Sequence, residues 1–171
     1  MCSLVLDVGC GAKPRGDVNL DLTVESTHRQ GNRRIAGTIN LVLGDACRLP
    51  FRDGSFRKVV SFQTLEHVPD PWAMLKELYR VAREEVLVEV PSRHSLPPPW
   101  RNRWMIRRSR THVNNFDAAW FREAIPLLLG TQDFEAETIY RGLLHPLLPP
   151  LWPDLIRVRI RKSYVRGFPA T

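Results

Sequence analysis

The sequence predicts an α/β fold: a doubly wound, mostly parallel sheet of about seven strands with a C-terminal antiparallel strand. Three observations carry that reading. Short apolar, β-rich runs recur between Leu4 and Val90, and one stretch of helical period, 72–82, follows the fourth of them. The first run opens straight into the glycine turn Gly9-Cys10-Gly11. In open α/β sheets, such strand ends mark the crevice where ligands bind.

The elements follow in order. Leu4 to Val8 is nearly all apolar, as a central parallel strand covered on both faces should be, with Asp7 buried near its end. Gly9 and Gly11 let the backbone turn sharply and admit a close neighbour. Val18 to Leu22 is the second strand and Ile39 to Leu43 the third, the latter followed by Gly44-Asp45-Ala46 and Leu49-Pro50-Phe51. Phe56 to Phe62 is the fourth. It leads through Gln63-Thr64-Leu65-Glu66-His67-Val68 and Pro69-Asp70-Pro71 into a helix from Trp72 to Ala82, with Leu75, Leu78, Tyr79 and Ala82 on one face. Val86 to Val90 is the fifth strand, stopped by Pro91. Asp117 caps a helix running to Leu129, with Ala118, Phe121, Ile125 and Leu128 inward. Phe134 to Tyr140 and Ile156 to Val165 are the last strands. Alternation of Ile156, Val158 and Ile160 with Arg157, Arg159 and Arg161 marks an edge or half-exposed strand whose arginines face water or a partner.

Three ligands compete for the glycine turn. A phosphate-cradling loop needs a Gly-Lys-Ser/Thr ending, and Ala12-Lys13-Pro14 stands there instead. A dinucleotide fingerprint needs a third glycine where Pro14 stands, and an acid roughly 20 residues beyond the turn, well past Asp21. S-adenosylmethionine carries no phosphate, and needs acids and backbone amides at successive strand ends. Asp21 can accept from both ribose hydroxyls. An aspartate followed by a small residue, Asp45-Ala46, suits the exocyclic amine and a ring nitrogen of adenine.

Taken together, Asp7-Val8-Gly9-Cys10-Gly11, Asp21, Gly44-Asp45-Ala46 with Leu49-Pro50-Phe51, and Thr64-Leu65-Glu66-His67-Val68 resemble class I S-adenosylmethionine-dependent methyltransferases. The likeness is to the type 11 branch, which includes quinone-biosynthesis enzymes. It runs from Leu4 to about Ser92, with a weaker echo in His112-Val113-Asn114-Asn115-Phe116. The resemblance implies a Rossmann-like sheet and S-adenosyl-L-methionine as cofactor. It also implies that Gly9, Cys10 and Gly11 line the methionine tail and that Asp7 orders it. Asp21 would hold the ribose with Leu22 beside the adenine, Asp45 and Ala46 would read the adenine edge, and Gln63 and Leu65 would lie beside the sulfonium. Some related quinone methyltransferases hold a divalent metal with acids and a histidine here. Gln63 stands where one acid would be, so no metal is expected. His67 is the candidate general base.

Two departures from the family pattern stand out. Only the residues from Gly9 to Asp17 separate the first two strands, where the family has a full helix and a parallel crossover normally needs about a dozen residues or more. A compact loop, stiffened by Pro14 and turned by Gly16, must replace it. Lys13 stands in place of the family's third glycine. The sequence also opens almost at the first strand, so an open pocket is expected unless a lid or second subunit covers it.

The chain of 171 residues suits a single domain. Residues 1–92 are its cofactor half, 93–115 a lid or substrate loop, and 116–171 a C-terminal half completing the sheet. No apolar run is long enough to span a bilayer, and the N-terminus lacks a signal pattern. Cys2, Cys10 and Cys47 have neither metal-ligand spacing nor an even count, so a reducing cytoplasm is expected. The loop mixes Arg93, Arg101, Arg103, Arg107, Arg108 and Arg110 with Trp100 and Trp104. Together with a net charge of +7 it suits phosphate or carboxylate partners. Substrate contacts are expected from Arg93, His94, His112 and Asn115. The proline-broken segment 143–153 is apolar enough to cover the sheet, a second subunit or a membrane-associated substrate.

These features describe an enzyme that transfers a methyl group in one in-line displacement to a small acidic or phosphate-bearing acceptor. Ser61-Phe62-Gln63-Thr64 replaces the Asn/Asp-Pro-Pro-aromatic motif of amide and adenine N-methyltransferases, and no Pro-Cys pair supports cytosine chemistry. A small molecule is therefore favoured over RNA. An RNA methyltransferase using the arginine-rich loop and a catalytically silent S-adenosylmethionine-binding module are the alternatives, and a homodimer stays open.

Overall fold

The computed structural model describes residues 3–26, 33–34, 40–93, 112–140 and 153–162. Residues 94–111 of the expected lid, His94 included, and 143–152 of the apolar segment lie outside the described residues.

A seven-stranded sheet forms the centre, in the order β5-β2-β1-β6-β7-β9-β8. Its strands are β1 (Val5–Val8), β2 (Val18–Asp21), β5 (Leu41–Leu43), β6 (Phe56–Phe62), β7 (Ala82–Pro91), β8 (Phe134–Tyr140) and β9 (Pro153–Arg161). A separate ladder pairs β3 (Glu25–Ser26) with β4 (Arg33–Arg34), and nothing in the sequence pattern announces it. β5, β2, β1, β6 and β7 run parallel, whereas β9 is antiparallel to both β7 and β8. The order reverses between β1 and β6, and that switch point opens a crevice at the strand C-termini.

Two helices join these strands. α1 (Pro71–Val81) is capped by the Asp70 side chain, which accepts from Ala73 N–H at 3.0 Å. β7 begins directly at Ala82, four residues earlier than the apolar run suggests. Ala82, which ends the helix in extended geometry, already pairs with Phe56. α2 (Ala118–Leu129) is capped by Asp117, and Gly130 closes it in the left-handed conformation. Ala124 joins its buried side, and Leu128 is only partly buried.

Strand register separates two faces. Val18, Leu6, Val59, Val86, Ile160 and Phe134 lie across from one another, as do Val88, Val158 and Ala136. This apolar face packs with Met74, Leu75 and Leu78 of α1 and Phe121 and Ile125 of α2 into one core. The other face carries Lys58, Glu85, Glu89, Arg157, Arg159, Arg161 and Glu135. Among the described residues, no helix covers it.

β9 is not an edge, since it lies between β7 and β8. Its arginines face neighbouring acids: Arg157 bonds Glu89 at 2.6 Å and Arg161 bonds Glu135 at 2.7 Å. Arg157, Arg159 and Arg161 are also part exposed to water, with 39%, 40% and 47% of their side chains accessible, as the alternation predicts; alternation reveals the exposed face but not the acids that adjacent strands put there.

Candidate functional site

The short connection between β1 and β2 works because every turn of it is tied to a strand. Asp17 bonds back to Val5 twice, its N–H donating to Val5 O at 2.9 Å and its Oδ2 accepting from Val5 N–H at 2.8 Å. Asn19, buried on β2, closes Gly16 from both sides: Gly16 N–H donates to Oδ1 at 3.0 Å, and Nδ2 donates to Gly16 O at 3.1 Å. A Cβ on Gly16 would lie 2.4 Å from Val18 O and 2.7 Å from Asp7 N, so only glycine lets the loop lie this close. The sequence reading passed over Asn19; a buried amide in the middle of a strand was the available signal.

Asp7 sits beneath this loop, 1% exposed. Its Oδ2 accepts from Arg15 N–H at 2.8 Å, while Oδ1 has no hydrogen-bond partner among the described residues. Burial pushes its carboxyl up to about 6, against the lowering pull of Arg15. The Arg15 guanidinium lies 4.2 Å over the Phe62 ring.

The glycine turn comes next. Gly9 has φ +73°, and its N–H donates to Leu20 O at 2.8 Å. A Cβ there would meet the Thr64 side chain at 2.2 Å. Gly11 also has positive φ, but nothing lies within 4 Å of where its Cβ would be, which leaves room for a ligand. Cys10 is buried and its thiol is pushed up to about 12 by burial, so it is a neutral apolar filler.

Asp21 ends β2 and gathers its neighbours. Its Oδ2 accepts from Gly11 N–H at 2.9 Å, and its backbone O accepts from Gly44 N–H at 3.0 Å. The tips of β1, β2 and β5 are thereby joined at one residue. Leu22 and Leu43 are 71% and 55% exposed beside it, apolar surface next to the carboxylate. Asp45 is exposed and Ala46 half-buried just beyond β5, with Asp45 Oδ1 accepting from Cys47 N–H at 2.8 Å. A carboxylate offers about four acceptor positions. Asp21 and Asp45 therefore keep capacity for ribose hydroxyls and an exocyclic amine. The glycine backbone, the two acids and the exposed leucines fit an adenosyl group bearing an amino-acid tail.

On the other side of the switch point, Gln63 follows β6 with φ +56°, a conformation uncommon for a non-glycine residue, and it is exposed. The Leu65 side chain is fully buried in the core cluster. The periodicity of a short loop could not reveal that. Glu66 is 1% exposed, and burial pushes its carboxyl up to about 7. His67 Nε2 lies 3.8 Å from Glu66 Oε1, and the His67 and His112 rings are 4.7 Å apart. Ligand atoms of Glu66, His67 and His112 all lie within 4.8 Å of one another, a group that could hold a metal ion.

The expected substrate loop leaves and returns at adjacent points. Ser92 and Phe116 form an isolated bridge, and Arg93 N–H donates to Phe116 O at 2.8 Å. The Arg93 guanidinium pairs with Asp117. Asn115 is exposed, whereas its neighbour Asn114 ties the strand end to the motif loop by donating to Val68 O at 2.7 Å.

Residues 17–88 match a family described as "Methyltransferase domain". Norajmaline N-methyltransferase of Rauvolfia serpentina is 33% identical over 92 residues, covering 46% of this chain and 32% of that protein. Demethylmenaquinone methyltransferase of Geobacillus kaustophilus is 34% identical over 94 residues, covering 46% and 40% respectively. The chain thus matches well under half the length of these curated relatives. An S-adenosylmethionine-dependent methyltransferase from Thermotoga maritima has the same fold, with a TM-score of 0.63 at 16% identity over 95% of this chain and 84% of that one. Another, from Archaeoglobus fulgidus, also gives 0.63, at 18% identity over 94% and 86%.

Proposed function

We propose that the chain is a class I S-adenosylmethionine-dependent methyltransferase that methylates a small acidic or phosphate-bearing acceptor, a reading supported by the methyltransferase-domain match of residues 17–88 and by the shared fold. The observation that carries this reading is the junction at Asp21, which ties the glycine turn to the tip of β5. When bound, S-adenosylmethionine supplies a methyl group on a sulfonium, which a nucleophile takes in one in-line displacement that leaves the thioether.

The chain's part is then to bind, orient and keep the groups dry. Gly9 and Gly11 let the amino-acid tail approach the backbone, and Asp7 holds the loop above them through Arg15 N–H. Asp21 accepts from the ribose, and Asp45 with Ala46 meets the adenine. His67, at the exposed end of the motif loop, takes the acceptor's proton where the acceptor does not ionise unaided. An acidic acceptor is supported by the net charge of +7 and by Arg15 and Arg93 near the strand tips. The small-molecule class is supported by the names of the relatives.

Calorimetric titration with S-adenosylhomocysteine tests the binding half. The wild type is expected to bind, and Asp21→Ala to weaken binding at least about tenfold, since a charged hydrogen-bond acceptor is lost. Methyl-labelled donor with fractionated small-molecule extract tests the transfer half. Binding without transfer to any fraction would favour a silent binding module.

A further inference from the structure

The position of the adenine-reading loop is set from below by two charged residues of α1. The Arg80 guanidinium has five N–H donors, and all five are engaged. Nε bonds Glu77 Oε1 at 2.7 Å, and Nη2 bonds Glu77 Oε2 at 2.8 Å and Leu49 O at 3.1 Å. Nη1 bonds Phe51 O at 2.8 Å and Asp53 Oδ1 at 2.7 Å. Glu77 Oε2 in turn accepts from Leu49 N–H at 2.8 Å. One ion pair thus grips both backbone groups of Leu49 and the carbonyl two residues on. Hydrogen bonding to Arg80 holds the Glu77 carboxyl below its ordinary range, so the pair stays charged at neutral pH.

This grip matters because β5 has so little else to hold it. β5 has three residues and pairs only with β2, at the edge of the sheet. Gly44 is held by Asp21 O at 3.0 Å, Asp45 and Ala46 follow, and beyond a long 3.4 Å contact from Cys47 Sγ to Asp70 O the next attachments are at Leu49 and Phe51. The Phe51 ring packs edge-on against Phe56 at 4.9 Å.

We infer that Glu77 and Arg80 are positioning residues for the donor pocket, fixing the Asp45–Ala46 edge relative to Asp21 and so setting affinity and preference for the adenine base. The inference rests on the proposed function, since it assigns the residues that hold that same site. Arg80→Lys removes the planar fork while keeping the charge.

It is expected to weaken S-adenosylhomocysteine binding about tenfold. It should also narrow the preference for that ligand over its 6-oxo, inosyl analogue, and speed hydrogen exchange at the Leu49 amide. The apparent KM for the donor should rise while kcat at saturating donor holds. General loosening of the fold would not change the ratio between two ligands that differ only in the base. Glu77→Gln serves as the second variant, keeping an oxygen for Leu49 N–H but losing the ion pair, and its effect should be intermediate. Wild-type affinity and base preference in both variants would overturn the inference. Failure of the unmodified protein to bind S-adenosylhomocysteine at all would instead overturn the proposed function.

Discussion

Asp7 shows how a single side chain can be both a structural brace and a burden. Its folded-state carboxyl titrates at about 6 rather than 3.8, because burial disfavours the charge more than Arg15 favours it. A raised acid contributes stability that is complete below pH 3.8 and lost as pH climbs through about 6, since the unfolded chain releases its proton first. Asp7→Asn should therefore match the wild type near pH 4 and exceed it by roughly 3 kcal/mol near pH 8. Urea denaturation at the two pH values measures this, and parallel curves for the two proteins would show that Asp7 is not the burdened group. At this scale the sequence was informative where chemistry is tied to strand ends. Asp21, Leu22 and Asp45 all lie at the tips where their motifs put them. Which loop side chains turn inward was not legible: Leu65 is fully buried between the exposed Gln63 and His67, because adjacent loop residues differ only in direction, which packing decides.

Among the elements, the connection from β1 to β2 is the one that departs from expectation for a parallel pair. A helix would satisfy its own backbone; this loop has Asp17, Asn19 and Asp7 do so instead. Its weakest tolerance is at Gly16, whose neighbours are backbone atoms that have no freedom to move aside. Gly16→Ala should cost about 2–4 kcal/mol, read from the midpoint of denaturation, whereas the same change at Gly54, which faces open space but has φ +61°, should cost only the roughly 1–2 kcal/mol of the left-handed backbone. The need for a compact loop follows from counting residues. The use of a buried Asn19 to close it does not, because that bond exists only once the strands are paired. The early start of β7 was hidden for a similar reason: Ala82 to Glu85 lack an apolar run but gain a partner in β6.

For the whole molecule, the sheet is asymmetric. One face is an apolar core roofed by α1 and α2, and the other is a ladder of opposite charges on β6, β7, β9 and β8. Glu85 is central to that ladder, with Lys58 Nζ at 2.6 Å and Arg159 Nε at 3.7 Å. Glu85→Gln should destabilise by about 1 kcal/mol at low salt, and the difference should shrink in molar sodium chloride. A difference independent of salt would point to packing rather than charge. The number of strands in the main sheet was legible from the succession of runs, but the order that places β9 between β7 and β8 was not, since nothing local says which strands become neighbours. The charge ladder was not, since register sets which acid meets which base.

The bridge between Ser92 and Phe116 has an evolutionary consequence. The chain departs at Ser92 and re-enters at Phe116 side by side, so the two ends are fixed to each other. Length and composition between those two points can therefore change, or be exchanged by an engineer, without unpairing the ends that hold them.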